Sequence, residues 1–499
     1  MNKGAQHFET VIIGSGFSGL LAAIGLKKKK IDDFIILERE PEMGGTWRNN
    51  SYPGAEVDIP TSLYSVSFIP YPFTKKYAPQ SELLAYTRYI IDKFDLRKHA
   101  RVGQTVTRLT YDEGKALWRV ELASGESCTA RFVIDTSGVL ANPKTPVIAG
   151  AQSFRGAQFH TAQWDHSIAY QGKRVGVIGS GCSGTQVVSA IASDVKRLSV
   201  FMGTPEWIIP RADRHYSRAE RFLMTLPGIH HVRRLIAFLV HKVRFIGFRR
   251  YPLTIRLSAF IKTFYAKNLR KNLEKYIADD ALRAHMMPDY ELGSRRVIPT
   301  NAYLPALARS NVEVETGGIE KITPAGIRTK DGKDIPLDMI VYATGFHAYS
   351  NIDKLLSFEV RGLGGRSLNA EWKTRIAAYK GITVSGYPNY FKINGPNTGT
   401  GHSSQISYME VMVKYTVQAI CAVKRGKTIK AIDARRDLQD AYVAKVRKAM
   451  QHTVWQNGTC KSFYRQGMNG DVTSLSPESV TGFIFSRRWF RLRDYRVLE

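Results

Sequence analysis

The chain has 499 residues, and at roughly 150 residues per domain this length predicts about three domains rather than one compact core. Apolar residues make up 43% of the chain, charged residues 23% and aromatic residues 11%, which excludes a disordered or fibrous protein. The 72 Lys and Arg residues outnumber the 43 Asp and Glu residues by 29, and this surplus favours an anionic partner such as membrane lipid, nucleic acid or a phosphorylated ligand.

The cysteines indicate a reducing compartment, and we therefore expect a cytoplasmic location. They are too far apart to form a zinc ribbon, a disulfide scaffold or a paired dithiol redox centre, and they are Cys128, Cys182, Cys421 and Cys460. No secretory signal is visible in the first ten residues. No stretch reaches the ~18 uncharged apolar residues that a spanning helix needs. We expect a soluble protein, with association at the inner face of the membrane left open.

The chain begins with a strand, a glycine-rich turn and a helix. An apolar, β-branched-rich run at 8–13 leads into GSGFSG at 14–19, and the sequence LLAAIGLKKKK continues as a helix. A second apolar run, FIIL at 34–37, ends on Glu38. This order predicts a β-α-β unit with G-x-G-x-x-G at its first turn, which is typical of dinucleotide binding.

Each glycine of this turn has a physical reason. Gly14 allows the tight turn, Gly16 lets the backbone approach a pyrophosphate, and Gly19 lets the helix pack close to its strand. The helix N-terminus faces the phosphate charge. Glu38 is predicted to bind the ribose hydroxyls.

The same unit occurs a second time. The strand RVGVI at 174–178 leads into GSGCSG at 179–184, followed by the helix TQVVSAIA and the strand RLSVFM. Two such turns are far more specific than one. They predict two domains that each hold one nucleotide. One bound nucleotide could then reduce the other.

Two further strand-like runs, FVIDTSG at 132–138 and MIVYATGF at 339–346, end in small-residue turns. We interpret them as the two crossings between the nucleotide domains, which makes the first domain discontinuous. The predicted fold is α/β, with two Rossmann-like dinucleotide-binding domains and a helical insertion. The predicted boundaries are 1–148 for the first part of the FAD domain, 149–212 and 293–345 for the NAD(P) domain, 213–292 for the insertion, and 346–499 for the rest of the FAD domain with a C-terminal segment.

The insertion is strongly basic. From Arg218 to Lys275 the sequence holds fourteen Lys or Arg residues against two acids. An apolar stripe at helical spacing consists of Ile229, Val232, Ile236, Leu239, Val240, Val243 and Ile246. The more ordinary interpretation is that the stripe packs on the protein while the basic face is solvated. The alternative is a peripheral membrane-surface element formed by 218–275.

Two long signatures resemble those of the Baeyer–Villiger monooxygenases. Residues 154–165, FRGAQFHTAQWD, match the pattern F-x-G-x-x-x-H-x-x-x-W-[P/D] at Phe154, Gly156, His160, Trp164 and Asp165. Gly44-Gly45-Thr46-Trp47, Tyr52-Pro53-Gly54 and Asp58 resemble the second signature of that family. The resemblance extends from Val11 to about Tyr464, and it includes Gly395-Pro396-Asn397, in a segment that lies near the flavin in these proteins.

The resemblance implies FAD in the first domain, NADPH in the second, and a ketone that molecular oxygen converts to an ester or lactone. The residues that would hold FAD are Gly14, Gly16, Phe17, Ser18, Gly19, Glu38, Gly45, Thr46, Trp47, Asp58, Tyr64 and Val106. The residues that would hold the nicotinamide coenzyme are Ser180, Gly181, Ser183, Gly184, Thr185 and Thr204.

The family's chemistry runs through an anionic C4a-peroxyflavin, which needs a fixed positive charge beside it. By resemblance, that charge belongs to Arg296, which follows Pro288-Asp289-Tyr290 in a basic pair with Arg295. Arg296 would stabilise the peroxide and the tetrahedral adduct like an oxyanion-hole donor. Asp58 would orient the guanidinium through charge-assisted hydrogen bonds.

The sequence departs from the family after the second domain's strand. Gly203 stands where an arginine that grips the 2′-phosphate of NADPH is expected. Arg295, or Lys196 and Arg197, could compensate, and NADH is not excluded as the coenzyme.

Three other functions are alternatives to ketone oxidation. A heteroatom-oxidising flavin monooxygenase or N-hydroxylase shares the two-nucleotide plan, but Trp164, Asp165 and the Asp58–Arg296 pair favour the ketone reaction. A flavin disulfide reductase needs a dithiol that the first helix lacks. A vestigial flavin fold that binds nucleic acid or lipid has no recognisable nucleic-acid module, so no nucleic-acid partner is expected. The Phe, Leu and Ile residues of the insertion favour a lipophilic ketone.

Overall fold

The fold is described from a computed structural model of the chain. It covers residues 6–246, 248–249, 252–347, 356–457, 462, 464–465 and 470–499, without the side chains of 242–246 and 252–254. Cys460 and the side chains of Val243 and Ile246 therefore lie outside the described residues.

The described residues form helices and strands that alternate through most of the chain. The strands are β1 Gln6–Ile13, β2 Phe34–Leu37, β3 Ala100–Arg101, β4 Val106–Asp112, β5 Leu117–Leu122, β6 Ser127–Asp135, β7 Ala157–His160, β8 Arg174–Ile178, β9 Arg197–Phe201, β10 Ile208–Ile209, β11 Ile298–Pro299, β12 Val312–Glu315, β13 Ile319–Thr323, β14 Gly326–Thr329, β15 Asp334–Pro336, β16 Met339–Tyr342, β17 Glu359–Arg361, β18 Tyr390–Lys392, β19 Ala431–Ala434 and β20 Tyr495–Leu498. The α-helices are α1 Phe17–Lys27, α2 Thr46–Asn49, α3 Gln80–Lys93, α4 Cys182–Ile191, α5 Arg218–Thr225, α6 Pro227–Ile246, α7 Pro252–Tyr276, α8 Asp280–Met286, α9 Tyr303–Leu307, α10 Leu368–Thr374, α11 Gln405–Arg425, α12 Arg436–Met450, α13 Val454–Asn457 and α14 Val480–Arg487.

The first sheet has eight strands in the order β17-β4-β5-β6-β1-β2-β3, with β18 beside β6. Its centre is parallel, because β1 pairs with both β2 and β6 in parallel register. Both faces of β1 are buried: Ile12 lies in one apolar cluster, and Val11 and Ile13 lie in another on the opposite face. Burial on both faces explains why the strand reads as a continuous apolar run. The predicted strand, turn and helix at the start of the chain are confirmed.

The second sheet contains β12-β9-β8-β16-β7. All its pairs are parallel, and the predicted strand at 174–178 is β8. The predicted α/β fold with two Rossmann-like units is confirmed. The small sheets are the antiparallel hairpin set β13-β14-β15 and the pairs β10-β11 and β19-β20.

Both predicted crossings follow strands of these sheets and lie against the glycine turns. A Cβ atom on Gly14 would lie 2.9 Å from the carbonyl oxygen of Thr136, just past β6. A Cβ atom on Gly179 would lie 2.6 Å from the carbonyl oxygen of Ala343, just past β16. Beyond the second crossing, β17 and β18 belong to the first sheet, as a discontinuous first domain requires. The numerical domain boundaries stay predictions.

The predicted insertion is helical and consists of α5 to α8. Arg234 of α6 fastens it to the body of the protein by donating to the carbonyl oxygen of Ser65 at 2.6 Å and to the Ser407 hydroxyl at 2.9 Å. The apolar stripe does not pack as expected: Val232, Ile236, Leu239 and Val240 are exposed, and Ile229 is half-buried. Within the described part of the chain, no helix combines the length and the apolar character needed to cross a membrane.

Candidate active site between two glycine turns

The first glycine turn leaves the N-terminus of α1 open. Gly16 is the N-cap residue, no side chain caps the helix, and its first turn holds no acid. A Cβ atom on Gly19 would collide with the carbonyl oxygen of Gly14, so only glycine lets the helix approach the strand this closely. Free backbone N–H groups and the helix dipole at such an end suit a pyrophosphate. Phe17 and Ser18 are buried in the first turn of the same helix.

Glu38 lies directly beside this turn. One carboxylate oxygen accepts hydrogen bonds from the backbone N–H of Ser15 at 2.8 Å and from its hydroxyl at 2.6 Å. The other carboxylate oxygen accepts from the N–H of Glu40 at 3.0 Å. The N–H of Gln104 donates to the carbonyl of Glu38 at 2.8 Å, which brings the start of β4 at Val106 to the same corner. Glu38 and Val106 therefore lie at the same corner beside the first turn, and their contacts to FAD stay predictions.

Gly45 closes over the first turn from the other side. Its φ of 56° and ψ of −134° form a conformation that essentially only glycine adopts, and a Cβ atom there would lie 2.5 Å from the Cα of Gly16. The helix α2 starts at the next residue, Thr46. Trp47 donates its indole N–H to the Tyr64 hydroxyl at 3.2 Å. The Tyr64 ring packs edge-on to the indole and to the ring of Phe17, so these three aromatic side chains form a continuous apolar wall beside the first turn.

The second glycine turn repeats this design. Gly181 caps α4 without a side-chain hydrogen bond or a first-turn acid, and a Cβ atom there would meet nothing within 4 Å. Ser180 donates its hydroxyl hydrogen bond to the carbonyl of Thr204 at 2.9 Å, which ties the turn to the loop after β9. A Cβ atom on Gly184 would collide with the carbonyl of Gly179, as in the first turn. The Thr185 hydroxyl donates to the carbonyl of Cys182 at 2.9 Å inside the helix.

The second signature joins the two turns, a contact that the sequence did not reveal. The Tyr52 hydroxyl lies 3.1 Å from the Ser183 hydroxyl and donates to the Gln186 amide oxygen at 2.8 Å, both on α4. Gly54 lies so close to this helix that a Cβ atom would be 2.5 Å from the carbonyl of Gln186. In the sequence, Tyr52 and Gly54 stood out only as positions of the second signature. That pattern did not show which residues they contact.

Asp58 and Arg296 meet at the end of this segment. One oxygen of Asp58 accepts from Nε of Arg296 at 2.8 Å and from a terminal nitrogen of the same guanidinium at 2.5 Å. Arg296 also interacts with the buried Tyr464 hydroxyl. Burial lowers the pKa of Arg296, but the negative charge of Asp58 outweighs it and raises that pKa overall. The site therefore holds a permanent cation whose orientation is fixed by a charge-assisted contact.

Arg295 points to a different partner. Its guanidinium lies 2.5 Å from the carboxylate of the buried Glu206, to which the Tyr290 hydroxyl also donates at 2.9 Å. The ring of Tyr290 lies under the Arg295 guanidinium, at 5.5 Å from its centre. Gly203, three residues before Glu206, is exposed, and a Cβ atom there would meet nothing within 4 Å. The structure therefore commits Arg295 to Glu206, and its predicted role toward a 2′-phosphate stays a prediction.

Comparisons with known proteins identify the family. The model of the pyridine nucleotide-disulphide oxidoreductase family matches residues 11–221. A protein of Streptomyces coelicolor named Baeyer-Villiger monooxygenase is 36% identical, over 99% of this chain and 93% of the relative. A protein of the same name from Pseudomonas aeruginosa is 34% identical, over 99% of this chain and 92% of the relative. The chain belongs to the Baeyer–Villiger monooxygenases.

Solved structures agree with this assignment. A structure described as oxidized steroid monooxygenase bound to NADP is 27% identical, covers 99% of this chain and 100% of its own, and superimposes with a TM-score of 0.86. The enzyme class predicted from the motifs, a flavoprotein monooxygenase, is confirmed. The same comparisons favour the ketone reaction over the heteroatom-oxidising alternative.

The Baeyer–Villiger fingerprint lies at the second crossing. His160 ends β7 opposite Tyr342 of β16, and its ring packs edge-on against Phe346 at 5.6 Å. Its Nδ1 accepts from the N–H of Ala162 at 3.1 Å, and burial lowers the pKa of His160 so that the neutral ring is favoured. A neutral histidine that packs against Phe346 of the second crossing suits a positioning role better than proton transfer.

The other fingerprint residues hold the surrounding loops. Gly156 has no room for a Cβ atom between the carbonyl of Asp338 and the ring of Phe154. Trp164 packs edge-on against Phe159 at 5.0 Å. Asp165 accepts from the backbone N–H of Ser167 at 2.9 Å and from its hydroxyl at 2.6 Å. These contacts explain the residue types without a direct role in chemistry.

The segment around Gly395-Pro396-Asn397 contacts the first turn through a residue that the sequence analysis did not single out. Asn394 adopts a φ of 61° and donates from its amide to the Ser18 hydroxyl at 3.0 Å. Gln405 donates to the Asn394 amide oxygen at 2.9 Å, and Asn397 donates to the carbonyl of Val472 at 2.9 Å. The Asn394-Gly395 dipeptide, a common turn signal, was the only indication of this contact.

Glu206 gives the site a measurable pH dependence. Burial raises the pKa of Glu206 to about 7 against an ordinary value of 4.5, although Arg295 and Tyr290 oppose the rise. Between pH 4.5 and about pH 7, Glu206 keeps its proton in the folded protein but loses it in the unfolded chain. The free energy of unfolding therefore falls as pH rises, by at most about 3 kcal/mol. Glu206→Gln should flatten the fall in melting temperature between pH 5 and pH 7.5. Parallel profiles for the two proteins would contradict this assignment.

Proposed function

We propose that the chain uses FAD in the first domain and NADPH in the second to insert one oxygen atom of O2 beside a ketone carbonyl. The ketone, O2, NADPH and one proton give an ester or lactone, NADP+ and water. The observation that carries this proposal is the guanidinium of Arg296, held by Asp58 beside α4 and joined to the FAD side by the Tyr52 segment.

The residues present fit both cofactors. Each turn offers an uncapped helix N-terminus, and Gly181 leaves open space where a side chain would otherwise stand. Phe17, Trp47 and Tyr64 supply an apolar wall beside the first turn. When bound, FAD takes a hydride from the nicotinamide coenzyme and supplies the oxidising chemistry through molecular oxygen.

The chain's own residues carry the electrostatic part of the reaction. Arg296 keeps its charge at any working pH, so it can stabilise negative charge on the reacting oxygens without exchanging a proton. Asp58 fixes the direction of the guanidinium, and partial burial of the pair strengthens its field because little water screens it. Tyr52 and Gly54 pack the segment that carries Asp58 against α4. This contact fixes the position of the two nucleotide sites relative to each other.

We infer that the ketone is lipophilic. One structural relative is described as a steroid monooxygenase, and the insertion of this chain exposes large apolar side chains. The test is a panel of linear, cyclic and polycyclic ketones with purified protein, oxygen and each coenzyme, with products identified by mass. A product 16 mass units heavier than its ketone supports the proposal. Sulfoxides from thioethers with all ketones unchanged would overturn it.

The coenzyme preference depends on the open position at Gly203. Because Gly203 is exposed and a Cβ atom there would meet no protein atom within 4 Å, we expect Gly203→Arg to extend a cation toward a 2′-phosphate without disturbing the fold. We expect the variant to raise the ratio of kcat/KM for NADPH over NADH by about tenfold, equivalent to ~1.4 kcal/mol. Gly203→Gln is the matched control, since it adds length without charge. An unchanged ratio would show that the phosphate is held elsewhere.

A further inference from the structure

The helical insertion exposes large apolar side chains on three helices, of which α6 contacts both α5 and α7. We call this apolar surface the docking surface and define it by Phe222 of α5, Val232, Leu235 and Ile236 of α6, and Phe260 and Phe264 of α7. These six side chains are between 56% and 69% exposed. On α6 the three residues follow the spacing of one helix face, and on α7 the two phenylalanines are one turn apart. Three neighbouring helices therefore present apolar side chains together.

This clustering is specific to the insertion. Twelve of the nineteen large exposed apolar side chains in the described part of the chain lie between residues 222 and 264. Elsewhere such residues are fewer, as at Val147 and at Phe485 and Trp489, which are four residues apart. Scattered apolar residues are ordinary on a protein surface, whereas a large contiguous patch marks a surface that is covered in use.

The charges beside the docking surface are almost entirely positive. Exposed basic residues on α7 include Arg256, Lys262, Lys267 and Arg270, and none of them forms an ion pair with a described residue. The two acids of 218–275 are Glu220, which pairs with Arg214, and Glu274. Exposed apolar side chains bordered by unpaired cations are the composition of a helix that lies in a lipid interface.

We propose that the docking surface binds an anionic lipid bilayer, with its apolar side chains inserted among the acyl chains and its Lys and Arg residues at the headgroups. A folded protein partner would need a complementary apolar face that is also rich in acids. A bilayer with anionic headgroups supplies both properties without a specific partner.

The docking surface is also connected to the candidate active site. At its far end α6 places His241 with Nδ1 3.0 Å from the carbonyl of His402. Past α6, Phe248 stacks on Trp455 at 5.7 Å, in the apolar cluster that contains Tyr464, the neighbour of Arg296. The helix that carries part of the docking surface therefore ends among residues that pack around the candidate active site.

The test is flotation of the full-length FAD-loaded protein with vesicles of phosphatidylcholine, alone or with 30% phosphatidylglycerol. We expect flotation with the anionic vesicles, weaker flotation at high salt, and at least a tenfold loss in the double variant Ile236→Glu/Phe260→Glu. Phe485→Glu is the matched control, because Phe485 is 70% exposed but lies outside the insertion. Wild-type protein that stays in the soluble fraction, or a double variant that floats normally, overturns the proposal.

Two further measurements separate this proposal from the others. Oxidation of a small water-soluble ketone should be equal in the wild type and the double variant, so a loss of flotation with normal turnover isolates the membrane contact from the chemistry. Light scattering tests a second copy of the chain as the occupant. A dimer that the double variant converts to a monomer would overturn the lipid proposal in favour of self-association.

Discussion

Arg296→Ala is expected to leave reduction of the flavin by the coenzyme intact while ester formation falls by at least 100-fold. Losing one preorganised donor to a developing oxyanion typically costs ~3 kcal/mol or more. The substitution also leaves the partly buried carboxylate of Asp58 without its cation. Stopped-flow absorbance follows reduction of the flavin, and mass analysis follows the ester. The electrons of the consumed NADPH should instead reduce O2 to hydrogen peroxide, with NADP+ as the other product.

Arg296→Lys tests the role of the positive charge through the pH dependence of ester formation. The pKa of Arg296 is raised by Asp58, so the wild-type rate should show no alkaline limb from this group. A lysine at the same place titrates at lower pH, so ester formation by the variant should fall as pH rises.

The matched control is Arg328→Ala, because Arg328 also donates twice to one carboxylate, that of Asp334, on an exposed hairpin. It should change nothing in catalysis. Normal ester formation by Arg296→Ala would remove Arg296 from the mechanism.

Gly45→Ala is expected to abolish stable FAD binding. The added Cβ would lie 2.5 Å from the Cα of Gly16, where only backbone could move, and the φ of 56° with ψ of −134° disfavours any other residue. The turn would have to open at the point where the pyrophosphate is predicted to bind. The ratio of flavin to protein absorbance in purified protein measures the loss.

Gly103→Ala separates backbone strain from steric crowding as the cause of the lost FAD binding. Gly103 has a φ of 70° but nothing within 4 Å of a Cβ position, so its substitution introduces backbone strain without crowding. It should lower the melting temperature slightly and keep a full complement of FAD. Equal flavin loss in both variants would show that strain, rather than the close approach to Gly16, is the cause.

The local pattern of apolar residues was sufficient to predict the two nucleotide units. Both faces of their strands are buried, so each strand is a continuous apolar run in the sequence. β2 at 34–37 and β8 at 174–178 have the predicted bounds. The glycines could be predicted equally well, since the collisions at Gly19 and Gly184 allow no alternative residue. The strands and the glycine turns depend on residues that are close in sequence, so the spacing of residue types is enough to predict them.

Contacts between distant segments could not be predicted from spacing. Tyr52 and Ser183 are 131 residues apart, and only the packing of the two domains brings them together. The partner of Arg295 was missed for the same reason, because Glu206 lies far from it in the sequence and was not singled out. The apolar stripe of α6 was expected to pack inward, since periodicity shows that a helix has an apolar face but not what covers it.

The Asp58–Arg296 contact has a consequence for engineering. Its two residues are 238 positions apart, Asp58 on the irregular segment after α2 and Arg296 on the segment just before β11. A hybrid enzyme that takes its nicotinamide module from one homologue and its flavin module from another therefore inherits half of this contact from each parent. Such hybrids should work only when residues 52–58, Gln186 and the 295–296 pair are transferred as a matched set.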